Sequence, residues 1–110
     1  MDMNTNREYC KRIAKEIESY VNGEITDDDG ETLSLCDWID DVLDFEFVVD
    51  SQKNYVSAKI YVTLGGPTVW VDTVEKAVKL AWGADREEYP IAWDAVEQLN
   101  DLMIDIYSNL

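Results

Sequence analysis

Histidine is absent from the 110-residue chain, and basic residues are scarce, with nine Lys and Arg against 24 Asp and Glu. Without histidine the chain lacks the usual general base near neutral pH, so neither a Ser-His-Asp nor a Cys-His catalytic arrangement can form. Cysteine is limited to Cys10 and Cys36, with no CxxC pair. That spacing suggests neither a zinc site nor a disulfide scaffold, and the two thiols read as small core-lining residues in a reducing compartment. Gly65 and Gly66 are followed by Pro67 and a strand pattern. A phosphate-binding loop leads into a helix instead, so the pair reads as a turn. No stretch approaches the roughly 18 consecutive apolar residues of a membrane span, and the opening MDMNTNREYCKR has no apolar signal core. A cytoplasmic protein is expected.

Hydrophobic residues make up 46% of the chain, including four Trp and six Tyr, enough apolar surface to offset the entropy of ordering one domain. A chain of this length is too short for two separate cores, so residues 1–110 are expected to form a single acidic unit. The net charge of −15 repels nucleic acid and anionic membrane and attracts basic surfaces. It also serves solubility.

Tyr9, Ile13, Ile17, Tyr20 and Val21 recur at helical spacing, and Gly23 stands where a helix ends, so a helix is predicted over residues 6–22. Its other face carries Arg7, Lys11, Arg12 and Lys15, four of the nine basic residues. After a polar turn at 24–31, Ser34 and Asp37 stand in capping-box positions before a short helix with Leu35, Trp38, Ile39, Val42 and Leu43 on its apolar face. FEFVV begins a hairpin. Val56, Ala58, Ile60, Val62 and Leu64 then alternate with Tyr55, Ser57, Lys59, Tyr61 and Thr63, the period of a half-buried strand. TVWVD is a third strand, and residues 77–82 read as a strand more readily than as a helix. Residues 85–90 read as a polar connection that Pro90 closes before a final helix with Ala92, Val96, Leu99, Met103, Ile106 and Tyr107 on one side. The predicted fold is α+β, order α-α-β-β-β-(β)-α: an antiparallel sheet of three to four strands, with helices on one face.

Glu24 to Asp50 holds 11 of the 24 acidic residues and no Lys or Arg. Asp27, Asp28, Asp29 and Glu31 form the loop, while Asp37, Asp40, Asp41 and Asp44, three or four apart, line one helix face and Glu46 follows. Such carboxylates stand about 5 to 6 Å apart, repel one another, and use a residue that is a poor helix former. A row of this kind resembles the phosphates along nucleic acid, which proteins engage with Lys and Arg. The alternative reading is the wet side of an amphipathic helix. A calcium loop is not supported: started at Ile25 the segment has its glycine but no Glu at the twelfth position, and started at Asp27 it lacks the glycine. No catalytic residue, metal-ligand set or cofactor is expected. Trp70, Tyr55 and Tyr61 fall out of phase with the apolar residues of their strands, so an aromatic patch is predicted on the second sheet face, to be covered by a helix or a partner.

The stretch LGGPTVWVDTVEKAVKLAWGADREEYPI, residues 64 to 91, resembles a segment of small acidic proteins of phages and conjugative elements in Firmicutes. The shared features are the Gly-Gly-Pro turn, the VWVDT strand, an aromatic residue before a glycine near 82, and Tyr-Pro before the last helix. In size, acidity and layout the chain is also similar to DNA-mimicking anti-CRISPR and antirestriction inhibitors, a similarity of type that transfers no residue. It implies a non-catalytic protein whose partner is a basic nucleic-acid-binding protein, such as a CRISPR effector or restriction enzyme. Direct contact with nucleic acid or membrane is not expected. The other reading is an interaction module of a mobile element, with room for a homodimer.

Overall fold

The computed structural model describes residues 3–110. Helix α1 (Met3–Val21) and a short α2 (Leu35–Asp41) precede five strands, β1 (Asp44–Val49), β2 (Tyr55–Thr63), β3 (Thr68–Asp72), β4 (Ala77–Trp82) and β5 (Asp85–Pro90), and helix α3 (Trp93–Ser108) ends the chain. The strands lie in sequence order, every neighbour antiparallel, as one open sheet. The α+β class and the residue 77–82 strand agree with the sequence reading. The sheet has five strands, however, where three or four are predicted.

The additional strand is β5, Asp-Arg-Glu-Glu-Tyr-Pro, at an edge of the sheet. Its polarity hides it, because an edge strand needs only one or two inward residues to pack. Glu87 and Tyr89 are the half-buried ones. Arg7 of α1 lies over the Tyr89 ring at 5.0 Å, pairs with the Glu87 carboxylate at 3.6 Å and donates to the Glu88 carbonyl at 2.9 Å. A charged side chain thus points inward from the edge and is met by α1, which discourages another chain from pairing there.

Helix α1 ends as its glycine predicts. Gly23 takes a positive φ of 72°, its N–H reaches the Tyr20 carbonyl, and the Glu24 N–H reaches that of Ser19. That is a Schellman closure. At the start of α2 the Asp37 carboxylate accepts from the Ser34 N–H at 2.7 Å and its hydroxyl at 3.1 Å. The helix is shorter than predicted, because Val42 turns extended (ψ 159°) and the Leu43 N–H joins the Tyr61 carbonyl of β2. Sheet pairing therefore takes over at Leu43, one residue before Asp44, which belongs to β1 and to no helix. α3 starts at Trp93, and the exposed Glu18–Ala92 contact spans α1 to its first turn: the Glu18 carboxylate accepts the Ala92 N–H at 3.1 Å.

All three helices lie on one face. Cys10, Ile13, Ala14 and Ile17 from α1, Trp38 and Ile39 from α2, and Ala95, Val96, Leu99 and Met103 from α3 close on Ala58, Ile60, Val69, Val71, Val78 and Leu80 of the sheet. α1 crosses β4 and β5, α3 crosses β2, and α2 touches both helices. This single core accounts for most of the apolar side chains the periodicity singles out.

One strand departs from simple alternation. The β1–β2 register runs Val48 to Ser57 and then Val49 to Tyr55, so Val56 is skipped and stands 45% exposed. This bulge turns Tyr55 to the helix side, where its hydroxyl donates to Asn100 Oδ1 of α3 at 2.6 Å. Tyr55 is therefore not part of the second-face aromatic patch. Tyr61 and Trp70 are: they are half-buried register partners with ring centroids 6.5 Å apart, on the sheet face opposite the core residues Ile60, Val69 and Val71.

Candidate acidic interaction surface

The nine carboxylates singled out by the sequence divide into two groups. Asp27 Oδ1 accepts the N–H groups of Asp29 and Glu31, each at 2.9 Å, and so builds the turn that carries its neighbours. Asp37 caps α2, and Asp44 Oδ1 folds back on the Phe45 N–H at 2.8 Å. Glu46 faces Lys59 across β1 and β2 and accepts the Tyr61 hydroxyl. That hydrogen bond, with burial and the nearby Asp44 charge, pushes the Tyr61 phenol up to about 12. These four carboxylates serve the fold.

Asp28, Asp29, Glu31, Asp40 and Asp41 are exposed, as Asp27, Asp44 and Glu46 are, but among the described residues the carboxylates of these five accept no hydrogen bond. Asp28 and Asp29 lie at the tip of the 27–31 turn, which the Thr26–Thr32 bridge closes. The continuous helical row from Asp37 to Glu46 does not form, since α2 spans only seven residues and Asp44 leaves it. Asp40 and Asp41 remain beside one another at its end.

A longer row stands on α3. Asp94, Glu97, Asp101 and Asp105 are all exposed, and this 16-residue helix contains no Lys or Arg. At about 1.5 Å of rise per residue their spacings of three and four place successive carboxylates about 5 to 6 Å apart along the axis. This row is not among the carboxylates predicted to form the surface. The signal was nevertheless present, because no basic residue follows Arg86 while six acidic ones do.

Tertiary packing brings the two acidic elements together. Gly23, Thr32, Leu33, Leu35 and Cys36 share a surface groove of about 420 Å³ with Gln98 and Leu102 of α3. Tyr20 forms part of the wall; burial, with the charges of Glu16, Asp41 and Asp37, raises its phenol above the ordinary value. Thr32 and Leu33, which follow the acidic loop, the start of α2 and the middle of α3 therefore border one groove.

Two basic residues meet the ends of α3, Lys76 with its Nζ 4.3 Å from the Trp93 ring centroid and Lys53 with its carbonyl accepting from the Tyr107 hydroxyl at 2.6 Å, and others lie on α1 and the sheet. Arg12 stacks on Tyr9 at 4.7 Å, and Lys15 meets Glu18 at 3.3 Å within α1. On the helix-free sheet face Lys79 pairs with Glu75 and, at 3.8 Å, with Glu88. A second depression of about 460 Å³ there is lined by Trp70, Lys79, Arg86 and Glu88, so both charge signs meet in it.

Among the described residues no group of three or more Cys, Asp or Glu side chains converges to hold a metal ion, and no helix is long and apolar enough to cross a membrane. Cys10 is buried, which pushes its thiol up to about 11, whereas Cys36 is exposed. Burial in apolar surroundings suppresses the thiolate that reactive cysteines need. Comparison of the chain with protein-family models, with curated proteins and with solved structures finds no match.

Proposed function

We propose that the protein acts by binding, not by catalysis, and that it occupies the basic nucleic-acid-binding groove of another protein in place of nucleic acid. The reading is an inhibitor of a defence nuclease, of the anti-CRISPR or antirestriction kind, working in the bacterial cytoplasm where those nucleases act. One observation carries it: the 32–36 segment after the acidic turn and α3 line one groove, and the stretches 24–50 and 93–108 to which they belong carry exposed carboxylates and no Lys or Arg. Surface carboxylates that merely solvate a helix are usually interspersed with cations, which relieve like-charge repulsion. A groove built to hold phosphates presents Lys and Arg at comparable spacing, and a field of this sign speeds encounter with it.

The test is a tagged pulldown from bacterial lysates containing CRISPR effectors or restriction enzymes, washed at low and then at high salt. A basic nuclease retained at low salt and released at high salt supports the proposal. Asn or Gln replacement of Asp28, Asp29, Glu31, Asp40 and Asp41, or of the four α3 carboxylates, should then weaken retention while the fold stays intact. A nuclease held equally well by both neutralised variants would overturn it.

The second reading, a homodimerising or protein-interaction module, is favoured by the half-buried Tyr61–Trp70 pair on the sheet face away from the core. Its association would be largely insensitive to salt. Sedimentation of the isolated protein at low and high salt separates it from the first.

A further inference from the structure

The groove between the 23–36 segment and α3 sets apolar side chains beside the acidic segments. Val21, Leu33, Leu35 and Leu102 line it and are all half-buried, and Cys36 stands exposed at its wall. Its volume, about 420 Å³, lies within the range of sites that enclose a side chain or small ligand. Acidic residues adjoin the lining in the chain, and the charges of Glu16, Asp41 and Asp37 act on Tyr20 of its wall. Lining residues Gly23, Thr32, Gln98 and Leu102 are each followed or preceded by an exposed carboxylate residue, namely Glu24, Glu31, Glu97 and Asp101. No Lys or Arg lines the groove.

Phosphate mimicry requires no such recess, since a phosphate backbone has no apolar notch among its charges. An apolar pocket inside a charged rim is instead the arrangement of a protein–protein anchor, in which one desolvated side chain supplies much of the energy and polar neighbours exclude water. The rim's sign specifies the flanks of that side chain. We propose that the groove receives an aliphatic side chain of the partner that is flanked by Arg or Lys on the partner's basic surface. The proposal rests on the reading of the acidic surface given above and adds to it a contact nucleic acid cannot make. That contact discriminates one basic protein from the many that merely carry positive charge.

Two short Arg-rich peptides, one with a central leucine and its twin with serine in that place, test this against isotopically labelled protein by NMR titration at low salt. Expected is binding of both, about tenfold tighter for the leucine peptide, as burial of one aliphatic side chain implies. Leucine-dependent shifts should fall on Leu33, Leu35 and Leu102. Alkylation of Cys36 with a maleimide, which leaves buried Cys10 untouched, should abolish the leucine advantage while preserving serine-level affinity, and Cys36→Ser should retain the advantage. Equal affinity of the two peptides overturns the anchor and leaves the acidic surface standing as a purely electrostatic site. Leucine-dependent shifts elsewhere, or a leucine advantage that survives the adduct, also overturn it. Failure of both peptides to bind overturns the anchor together with the reading beneath it.

Discussion

The Tyr55 hydroxyl donates to Asn100 Oδ1 across 2.6 Å and lies 3.3 Å from Thr73 Oγ1, which in turn accepts the buried Ala58 N–H at 2.9 Å. This chain of contacts ties β2 to α3 and to the β3–β4 turn, and it exists because the bulge at Val56 turns Tyr55 inward. Tyr55→Phe should lower unfolding free energy by about 1 kcal/mol, the net value of one hydrogen bond. Asn100→Ala should cost a similar amount, and the double variant less than the sum, because both remove the same bond. Urea unfolding with an unchanged slope checks this.

Acidic residues that serve the fold should separate cleanly from those left exposed. Asp37→Ala removes the acceptor of the Ser34 N–H and should cost about 1 kcal/mol, as loss of a helix cap does. Asp40→Ala, at an exposed position with no cap to lose, should stay within about 0.5 kcal/mol of the parent. Chemical denaturation of the two variants in parallel reads the difference. If the acidic surface binds a basic partner, only Asp40→Ala should weaken that binding directly.

Self-repulsion at a net charge of −15 predicts a protein that gains stability with salt. The screening length falls from about 30 Å at 0.01 M to about 8 Å at 0.15 M ionic strength, so the melting temperature should rise over that interval. Replacing Asp94, Glu97, Asp101 and Asp105 with Asn or Gln should raise the low-salt melting temperature and flatten its salt dependence. A drop at low salt would mean that these carboxylates stabilise α3 and are not simply tolerated.

Tyr61 gives a pH signature on the opposite sheet face. Its proton is held by the Glu46 carboxylate, by burial and by the Asp44 charge, which move the folded-state value up from 10.0 to about 12. A raised value means that the folded state binds the proton more tightly than the unfolded state. The contribution is therefore full below pH 10.0 and is lost as pH climbs toward about 12. Glu46→Gln removes both the hydrogen-bonded carboxylate and its charge. In that variant the Tyr61 phenolate, followed by ultraviolet difference absorbance against Tyr61→Phe, should appear at lower pH.

Elements governed by local periodicity could be read directly from the residues. The Val56-to-Leu64 alternation marks β2, the helical spacing of Ile13 and Ile17 marks α1, and Ser34 with Asp37 marks the start of α2, because each pattern acts within a few residues of itself. Gly23 marks the end of α1 for the same reason. The concentration of acid without base is likewise a property of the chain alone. Long-range pairing decided the rest. Asp85 to Pro90 becomes a strand only because β4 offers an edge and Arg7 of α1 meets Glu87 and Tyr89. α2 stops at Asp41 because Leu43 finds the Tyr61 carbonyl, and that stop removes Asp44 from the helical row. Tyr55 changes faces through a register skip that alternation along its own strand cannot reveal. The groove beside α3 joins residues more than sixty positions apart. Which carboxylates are consumed by caps and turns and which remain exposed is a matter of hydrogen-bond partners in three dimensions, and composition is blind to it.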